Sequence, residues 1–366
     1  MAHTSMATVV LSAHVCVSLG PRSEACCLRL GCNATVRRDD CGRCPPLGGH
    51  GFIGEASTMK AIIMDRHGGL EVLRYGDLPD PVPEPGQVVV DIHAASVNGA
   101  DAKVRGGGSY TAVSDFPYVL GRDFSGVVAS CGVGATDFAV GDAVFGVLAA
   151  GRDGTYAERV AEKAALLCRK PDRLSHVEAA ALALIGLTAL VSIEDTIKLE
   201  RGETILIQGG AGGVAGYAIQ LAKHIGARVI TTASAANHSY VKSLGADQVI
   251  DYNKEDFSKA VKDADAVFDT VGGDVAARSF AVLKSGGRAA FIASGAKAPV
   301  SPRSDVRSLR PAVGRDRAHL ERILELHATK AVRVPELRVF PLRDAVEAQR
   351  ISEGRHFRGK LVLQVR

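Results

Sequence analysis

A glycine cluster after a short apolar run is the feature of this chain with the clearest chemistry. Residues 204–216 read TILIQGGAGGVAG, in which Gly210, Gly212 and Ala215 fit the pattern G-x-G-x-x-A. Glycines permit a tight turn and let the backbone approach a pyrophosphate, and the helix that follows offers unpaired N–H groups and a positive dipole end to that anion. Because a second β-like run, 228–232, follows the helix, the segment predicts a dinucleotide site.

The end of the second strand indicates which nucleotide binds. An NAD site usually carries Asp or Glu about 20 residues after the glycine motif, where the carboxylate bonds the ribose 2′-hydroxyl. Residues 230–238 read ITTASAANH, which contains hydroxyl and amide donors and no carboxylate to repel a 2′-phosphate. The segment favours NADPH, although ordinary turn and N-cap residues would have the same sequence.

Length and composition limit the fold and the partners. The 366 residues suit two domains, and 46% of them are hydrophobic. We expect no membrane span, because no apolar run approaches the ~20 residues that a span needs. The net charge of +4 is mild, Trp is absent and aromatic residues make up 5%. We therefore expect no nucleic-acid partner, since base-stacking surfaces need aromatic side chains.

The first 58 residues differ from the rest of the chain. They hold six of the eight cysteines, contain no Lys and end in a Gly/Pro-rich stretch. Cys41 and Cys44 would form half of a zinc site, but no second pair at a defined spacing accompanies them. The segment fits neither a secretory signal nor a transit peptide well. We expect residues 1–58 to be a non-native or disordered extension, Met59 to be the initiator, and the protein to be cytoplasmic.

The chain after Met59 falls into three parts. From about 60 to 180, β-like runs alternate with glycine and proline turns, which is typical of a twisted antiparallel or barrel-like domain. Between 204 and 293, strands and helices alternate in the pattern of a doubly wound parallel sheet. We therefore predict an α/β protein whose boundaries give a first β-rich part at 59–183, a dinucleotide-binding domain at 184–305 and a returning β-rich part at 306–366.

Eight ordered blocks between residues 95 and 362 resemble the zinc-independent quinone oxidoreductase branch of the medium-chain dehydrogenase/reductase superfamily. The blocks are ASVNGAD at 95–101, GRDFSG at 121–126, GDAVFG at 141–146, GLTA at 186–189, the glycine motif, LGAD at 244–247, DTVGG at 269–273 and RGKLV at 358–362. The resemblance implies a GroES-like catalytic domain into which a Rossmann NADPH-binding domain is inserted. It also implies hydride transfer to an electrophilic acceptor such as a quinone.

The resemblance bears on zinc as well. Zinc-dependent members of the superfamily place Cys and His where this chain has Asn98 and Arg122, and the lobe with four closely spaced cysteines is missing. A catalytic zinc needs three protein ligands, which we cannot assemble from the sequence. We therefore predict no bound metal and no alcohol oxidation, with a protein that orients the acceptor and polarises its oxygen.

The resemblance assigns the acceptor side to two catalytic residues. It implies that Asn98 lies near the nicotinamide and donates from its amide to the carbonyl oxygen of the acceptor, although a turn residue with a local backbone bond would have the same sequence. Asp101, one turn along, is expected to orient that loop or a water. Arg105 would place the loop through a salt bridge, and Tyr110 would line the cleft beneath a mobile, glycine-rich lid.

The resemblance also implies eleven cofactor-binding residues. They are Gly210, Gly212, Gly213 and Val214 at the glycine motif, Thr188 at the nicotinamide-side phosphate or amide, Val271 and Gly272 at the ribose, Ser234, Asn237 and Tyr252 around the 2′-phosphate, and Lys360, or else Arg358, from the returning segment. Family members commonly carry a Lys near residues 237–238, where this chain has Asn237 and His238. The preference for NADPH therefore depends on the hydroxyl and amide donors that remain.

Two other functions stay open. The first is reduction of α,β-unsaturated aldehydes or ketones, because the same hydride geometry serves an enone and a quinone. The second is a non-catalytic NADPH-binding protein, such as a redox sensor or a nucleic-acid-binding, crystallin-like relative. The presence of Asn98, Thr188 and the whole glycine motif favours catalysis.

The predicted last strand of the Rossmann sheet indicates a homodimer. Residues 286–293 read GGRAAFIA and are apolar on both faces apart from Arg288. We predict that this strand lies at the edge of the sheet, where an apolar strand left bare would be a pairing hazard. We expect it to pair with the same strand of a second subunit about a two-fold axis. The family resemblance indicates the same assembly.

Overall fold

Three β-sheets organise the part of the chain that the structure describes, which in this computed structural model is residues 57–108, 112–149 and 151–366. The strands are β1 (Thr58–Met64), β2 (Leu73–Pro79), β3 (Gln87–Ser96), β4 (Tyr118–Val119), β5 (Asp123–Cys131), β6 (Ala143–Val147), β7 (Arg159–Lys163), β8 (Leu167–Arg169), β9 (Thr204–Ile207), β10 (Arg228–Thr232), β11 (Gln248–Ile250), β12 (Ala264–Asp269), β13 (Leu283–Phe291), β14 (Arg307–Leu309), β15 (Leu337–Pro341) and β16 (Lys360–Gln364). The helices are α1 (Gly99–Arg105), α2 (His176–Leu190), α3 (Gly213–Ile225), α4 (His238–Ser243), α5 (Phe257–Ala260), α6 (Asp274–Ser279), α7 (Arg317–Ala328) and α8 (Ala345–Gly354).

Three predictions fall wholly or mainly outside the described residues. These are the extension, of which only residues 57 and 58 are described, the half zinc site at Cys41 and Cys44, and the lid residue Tyr110. Thr58, which the sequence assigned to the extension, is the first residue of β1 and pairs with the last residue of β2.

A mixed seven-stranded sheet forms the first lobe. Its order is β15-β16-β3-β5-β6-β8, and β7 pairs with β3 as well. Strand β16 runs antiparallel to β3, with Val362 opposite Ser96. The last strand of the chain therefore joins the sheet that begins with β3. A small sheet in the order β2-β1-β4 belongs to the same part of the chain. This arrangement confirms the β-rich, GroES-like domain completed by a returning segment.

A parallel six-stranded sheet forms the second lobe, in the order β11-β10-β9-β12-β13-β14. The run Ile205-Leu206-Ile207 in β9 is buried on both faces, with Leu206 in one apolar cluster and its two neighbours in the other. Burial on both faces is the reason that a central parallel strand is continuously apolar. The chain leaves β9 toward β10 on one side and later returns to β12 on the other, so the order reverses between β9 and β12. Ligands of such sheets bind at this reversal, outside the carboxyl ends of the strands.

The prediction for the sheet edge is wrong. Residues 286–291 lie in β13, which the structure places inside the sheet, because β14 pairs with it in parallel from Arg288 to Ala290. The sequence missed β14, which is only three residues long and carries little apolar signal. Since β14 spans Arg307–Leu309, the parallel sheet also continues past the predicted domain boundary at 305.

One continuous helical segment joins the two lobes. Helix α2 starts at the N-cap Ser175, whose side chain and that of Glu178 form a capping box, and it continues into a π-helical turn, Val191–Ile197. The predicted boundary between residues 183 and 184 lies inside this helix, which packs against β3 and β5 on one side and α3 on the other. The segment His176–Ile197 is long and apolar enough to cross a membrane, contrary to our reading of the sequence, but 83% of its most apolar window is buried inside the protein. Internal packing accounts for its composition.

Candidate active site

The glycine loop lies at the point where the strand order reverses. Gly209 adopts a φ of 75°, Gly212 is the N-cap of α3, and the helix begins at Gly213. A Cβ atom on Gly210 would lie 2.3 Å from the buried hydroxyl of Thr231, so only glycine fits there. The loop therefore gives a pyrophosphate close access to the backbone at the N-terminus of a 13-residue helix. These residues fit a dinucleotide.

The turn after β12 forms the opposite wall of the crevice. The carboxylate of Asp269 accepts the N–H groups of Val271 at 2.8 Å and Gly272 at 3.1 Å, and burial raises its pKa. The hydroxyl of Thr270 donates to the carbonyl of Gln208 at 2.8 Å, which ties this turn to the glycine loop. Val271 and Gly272 therefore lie beside the glycine loop, and their contact with the ribose stays a prediction. Our reading of the sequence gave Asp269 no role, although its place at the end of an apolar strand was a signal.

The three residues predicted for the 2′-phosphate follow β10 and β11. Ser234 comes two residues after β10, and its hydroxyl accepts a hydrogen bond from the amide of Asn237 at 3.1 Å. Tyr252 comes two residues after β11, and about half of it is exposed. Since β10 and β11 are neighbours, these side chains extend from the same edge of the sheet. The structure thus brings Ser234 and Asn237 together and places Tyr252 on the adjacent strand end.

The returning segment docks on the glycine loop. The N–H of Gly359 donates to the carbonyl of Ala211 at 3.0 Å, and Gly212 and Gly359 form a parallel β-bridge. Gly359 has a φ of 75°, and a Cβ atom on it would lie 2.0 Å from the carbonyl oxygen of Glu336. Only glycine therefore allows β16 to begin directly beside the cofactor loop.

Lys360 turns its ammonium away from the glycine loop and into the first lobe. Its Nζ donates to the carbonyl of Val97 and to Oδ1 of Asn98, both at 2.6 Å, and the residue is 4% exposed. The Nδ2 of Asn98 donates to the carbonyl of Ser96 at 3.1 Å and to Asp123 at 2.7 Å. The prediction that Lys360 reaches the cofactor from the catalytic side stays a prediction, and its ammonium lies on that side, beside Asn98. The prediction that the amide of Asn98 donates to the acceptor is wrong, because both of its N–H groups already have partners.

Asp123 is the group that the sequence reading missed. It is fully buried, and its Oδ2 accepts the hydroxyl of Ser96 at 2.5 Å and the N–H of Leu184 at 3.4 Å. Burial raises the pKa of Asp123 and lowers that of Lys360, and the opposite charge of each partner opposes both shifts. The sequence signal was a carboxylate at the start of a predicted strand. It stands in the block at 121–126, in which the sequence analysis assigned a role only to the position of Arg122.

Asp101 holds the loop that carries Asn98. Asn98 is the N-cap of α1, and its N–H donates to Oδ2 of Asp101 at 2.8 Å, while the hydroxyl of Tyr156 donates to the same oxygen at 2.6 Å. Asp101 is only 1% exposed, and its Oδ1 has no hydrogen-bond partner among the described residues. Burial raises the pKa of Asp101 to about 7. The carboxyl is thus a positioning group with no open path to an acceptor.

Three further predicted residues have partners within the protein. The hydroxyl of Thr188 donates to the carbonyl of Leu184 at 2.7 Å within α2, and its contact with the nicotinamide-side phosphate or amide stays a prediction. Arg105 is buried and pairs with Glu353 at 2.5 Å, which fits the salt bridge expected for it. Arg358 pairs with Glu336.

The fold and site together define a class of protein. A Rossmann lobe with a glycine loop at its reversal point, joined to a β-rich lobe that presents a buried polar cluster, is the architecture of a dinucleotide-dependent oxidoreductase. The family model described as "Alcohol dehydrogenase GroES-like domain" matches residues 84–172, and the model described as "Zinc-binding dehydrogenase" matches residues 244–363.

Named relatives identify the family. The chain is 33% identical over 314 residues to the NADPH-dependent alkenal/one oxidoreductase, chloroplastic, of Arabidopsis thaliana, covering 83% of this chain and 79% of the relative. It is 35% identical over 272 residues to the NAD(P)H oxidoreductase RTN4IP1, mitochondrial, of Mus musculus, covering 68% of each. The solved quinone oxidoreductase from Coxiella burnetii is 36% identical with a TM-score of 0.80, covering 85% of this chain and all of that one.

The chain belongs to the zinc-independent quinone oxidoreductase branch of the medium-chain dehydrogenase/reductase superfamily. It is an NADPH-dependent oxidoreductase of the quinone or alkenal reductase type. A structure of Escherichia coli quinone oxidoreductase complexed with NADPH has a TM-score of 0.77 at 27% identity, covering 84% of this chain and 100% of that one. The fold, the family and the cofactor expected from the sequence are thereby confirmed.

We expect catalysis to be independent of metal. Among residues 57–108, 112–149 and 151–366, no three His, Cys, Asp or Glu side chains form a group that would hold a metal ion. Prolonged dialysis against a chelator should leave kcat unchanged, and added zinc should not raise it. Activity that disappears on chelation and returns with zinc would contradict this prediction.

We expect wild-type kcat/KM to be higher with NADPH than with NADH, and Ser234→Asp to reverse that preference. A carboxylate beside a 2′-phosphate is repulsive, whereas it can accept the 2′-hydroxyl of NADH. Ala233 is the less suitable site because it is 3% exposed, and Asp there would be a buried charge. Steady-state kinetics with both cofactors measure the effect, and Ser243→Asp on α4 is a matched control. A wild-type preference for NADH would contradict the interpretation of β10.

Proposed function

We propose that this protein reduces quinones to hydroquinones with NADPH. The observation that carries the proposal is the contact between Lys360 and Asn98, which places a buried cation and a fixed carboxamide just after the end of β3. Lys360 directly follows Gly359, which pairs with Gly212 of the glycine loop, so this polar pair lies next to the expected cofactor site. The similarity to a solved quinone oxidoreductase over that protein's whole length supports it. In the balanced reaction, a quinone takes up one hydride and one proton, and NADPH becomes NADP⁺.

The residues of this chain supply position and electrostatics, and bound NADPH supplies the hydride. The glycine loop would hold the pyrophosphate, and the turn of Val271 and Gly272 would contact the ribose. Lys360 and Asp123 fix the carboxamide of Asn98 from two sides, so this wall of the acceptor site is rigid. The ammonium of Lys360 favours negative charge that develops on an acceptor oxygen nearby, because a buried cation is weakly screened.

Reduction of an activated alkene is the second candidate function. The named Arabidopsis relative is an alkenal/one oxidoreductase, and a Solanum lycopersicum relative that is 37% identical over 253 residues is a 2-methylene-furan-3-one reductase. In that reaction one alkene carbon takes the hydride and the other takes a proton. The same cation beside Asn98 would stabilise charge on the carbonyl oxygen of an enone.

A panel of acceptors separates the candidates. NADPH oxidation is followed with ortho-quinones, para-quinones, enals and enones, and NADH serves as the control cofactor. The proposal expects kcat/KM to be highest for quinones, and higher values for enals or enones would select the second candidate. NADPH binding without turnover of any acceptor would instead indicate a non-catalytic NADPH-binding protein.

We also propose a homodimer in the cytoplasm. The edge of the parallel sheet is β14, whose three residues leave one side without a strand partner among the described residues, so β14 replaces residues 286–293 as the pairing strand. Light scattering at micromolar concentration should give twice the mass of the chain, and hydrogen exchange at Arg307–Leu309 should slow as concentration rises. A monomer by light scattering would reject the proposed homodimer.

Imaging of the full chain with a C-terminal tag tests the proposed location in the cytoplasm.

A further inference from the structure

Arg315 lies in the segment that leads from the parallel sheet back to the first lobe. At one end of this segment, the guanidinium of Arg310 donates to the carbonyl of Phe291 at 2.6 Å, which fixes it at the carboxyl end of β13. At the other end, Asp316 caps α7 by accepting the N–H of His319 at 2.9 Å. The segment therefore begins on the edge of the sheet where the cofactor binds, and Arg315 sits directly before a fixed helix start.

The guanidinium of Arg315 has little to bind within the protein. Among the described residues its guanidinium makes one hydrogen bond, from Nη1 to the carbonyl of Val313 at 3.1 Å, two residues away. Its Nε is buried and has no hydrogen-bond partner, and no carboxylate in the described part of the chain forms an ion pair with it. A buried N–H donor without a partner costs free energy, which a ligand that accepts a hydrogen bond from Arg315 would offset.

The charged groups nearest to Arg315 are already committed to one another. Arg315 interacts electrostatically with Arg122, Asp153 and Asp123. Asp153 accepts the guanidinium of Arg122 and the hydroxyl of Tyr118, at 2.7 and 2.8 Å. Asp123 accepts the amide of Asn98. Burial, and after it the like charge of Arg122, lower the pKa of Arg315, and the charges of Asp153 and Asp123 oppose this shift.

We propose that Arg315 binds an anionic substituent, a carboxylate or a sulfonate, on the acceptor that is reduced beside Asn98. This inference rests on the proposed function. A guanidinium with free N–H groups matches the planar oxygens of such an anion and forms charge-assisted bonds with it. The phosphates of NADPH have other donors, at the glycine loop and after β10. Arg315 instead lies within electrostatic range of Asp123, the carboxylate that holds Asn98.

The test compares 1,4-naphthoquinone with 1,4-naphthoquinone-2-sulfonate. Because the two quinones differ in reduction potential, each variant is compared with wild type on the same quinone. Arg315→Gln should lower kcat/KM for the sulfonate by about 10- to 100-fold and leave the neutral quinone and the KM for NADPH unchanged, since bonds to charged groups have this strength. For Arg315→Lys, kcat/KM with the sulfonate should lie between the values of wild type and Arg315→Gln. The exposed Arg343→Gln is the matched control and should change neither quinone.

A binding measurement keeps the inference separate from the proposed reaction. Calorimetry with naphthalene-1-sulfonate and the neutral naphthalene-1-sulfonamide, on NADP⁺-saturated protein, should show weaker binding of the sulfonate alone in Arg315→Gln, even if no quinone is turned over. Equal losses for the two ligands, a higher KM for NADPH in the variant, or no loss for the sulfonate would each overturn the inference. If Arg315→Gln does not fold, the same comparison in Arg315→Lys decides it.

Discussion

Lys360→Met is expected to lower kcat by about 100-fold while changing the KM for NADPH by less than about threefold. The substitution removes the ammonium that bonds Val97 and Asn98, so the carboxamide of Asn98 is held from one side only. Displacement of a positioning group by about 1 Å costs a loss of this size. Methionine keeps an aliphatic chain near Gly213, so the glycine loop keeps its neighbour.

Two further variants make this result specific. Lys360→Arg retains the charge with a different shape and should recover part of kcat. Lys284→Met removes a half-exposed lysine that pairs with Asp265, far in the sequence from the polar cluster, and should leave kcat unchanged. Steady-state kinetics and a thermal melt are measured for all three. If Lys360→Met lowered kcat no more than Lys284→Met does, Lys360 would have no positioning role.

Asp101→Asn is expected to have a higher free energy of unfolding than wild type, by an amount that grows as pH increases. The pKa of Asp101 is about 7 in the folded protein and about 3.8 in the unfolded chain, because folding buries the carboxyl. Its charged form is therefore disfavoured by folding, and wild type loses stability between pH 4 and pH 7. The difference is about 4 kcal/mol at pH 8 and close to zero at pH 4. Asparagine keeps the oxygen that accepts from Asn98 and Tyr156.

Denaturant unfolding from pH 4 to pH 8 measures this difference. The wild-type curve alone is not sufficient, because His176 titrates in the same range with the opposite sign. Burial lowers the pKa of His176 to about 4, so its contribution is lost as pH falls below 6.5. Subtraction of the Asp101→Asn curve removes His176 and every other shared group. Parallel curves for the two proteins would show that folding does not shift the pKa of Asp101.

The cofactor half of the site was predictable because it is local. The glycine loop, its strand and its helix lie within 204–225, and the strand end that decides the nucleotide follows directly. Burial of Ile205–Ile207 on both faces and the N-terminus of α3 follow from apolar pattern and glycine spacing alone. Sequence reading therefore placed Gly210, Gly212 and Ser234 at the correct edge of the sheet.

The acceptor half was not predictable in the same way. Asn98, Asp123 and Lys360 meet only because β3 pairs with both β5 and β16, and no local pattern reports such pairing. The family resemblance pointed to Asn98 and Lys360, but it assigned the first to the acceptor and the second to the cofactor. Their contacts with one another follow from burial, since a buried amide and a buried ammonium must find partners inside the protein. The same limit applies to β14, whose position depends on its pairing with β13.

The contact between Lys360 and Asn98 joins residues 262 positions apart in the chain. Closing so long a loop carries a large entropic cost, and contacts of high sequence separation form late. The parallel sheet between them has mostly local crossovers and can form first, which shortens the effective loop that β16 must close. We therefore expect a refolding chain to gain its secondary structure and its nucleotide loop before a working acceptor site, and catalytic competence to return last.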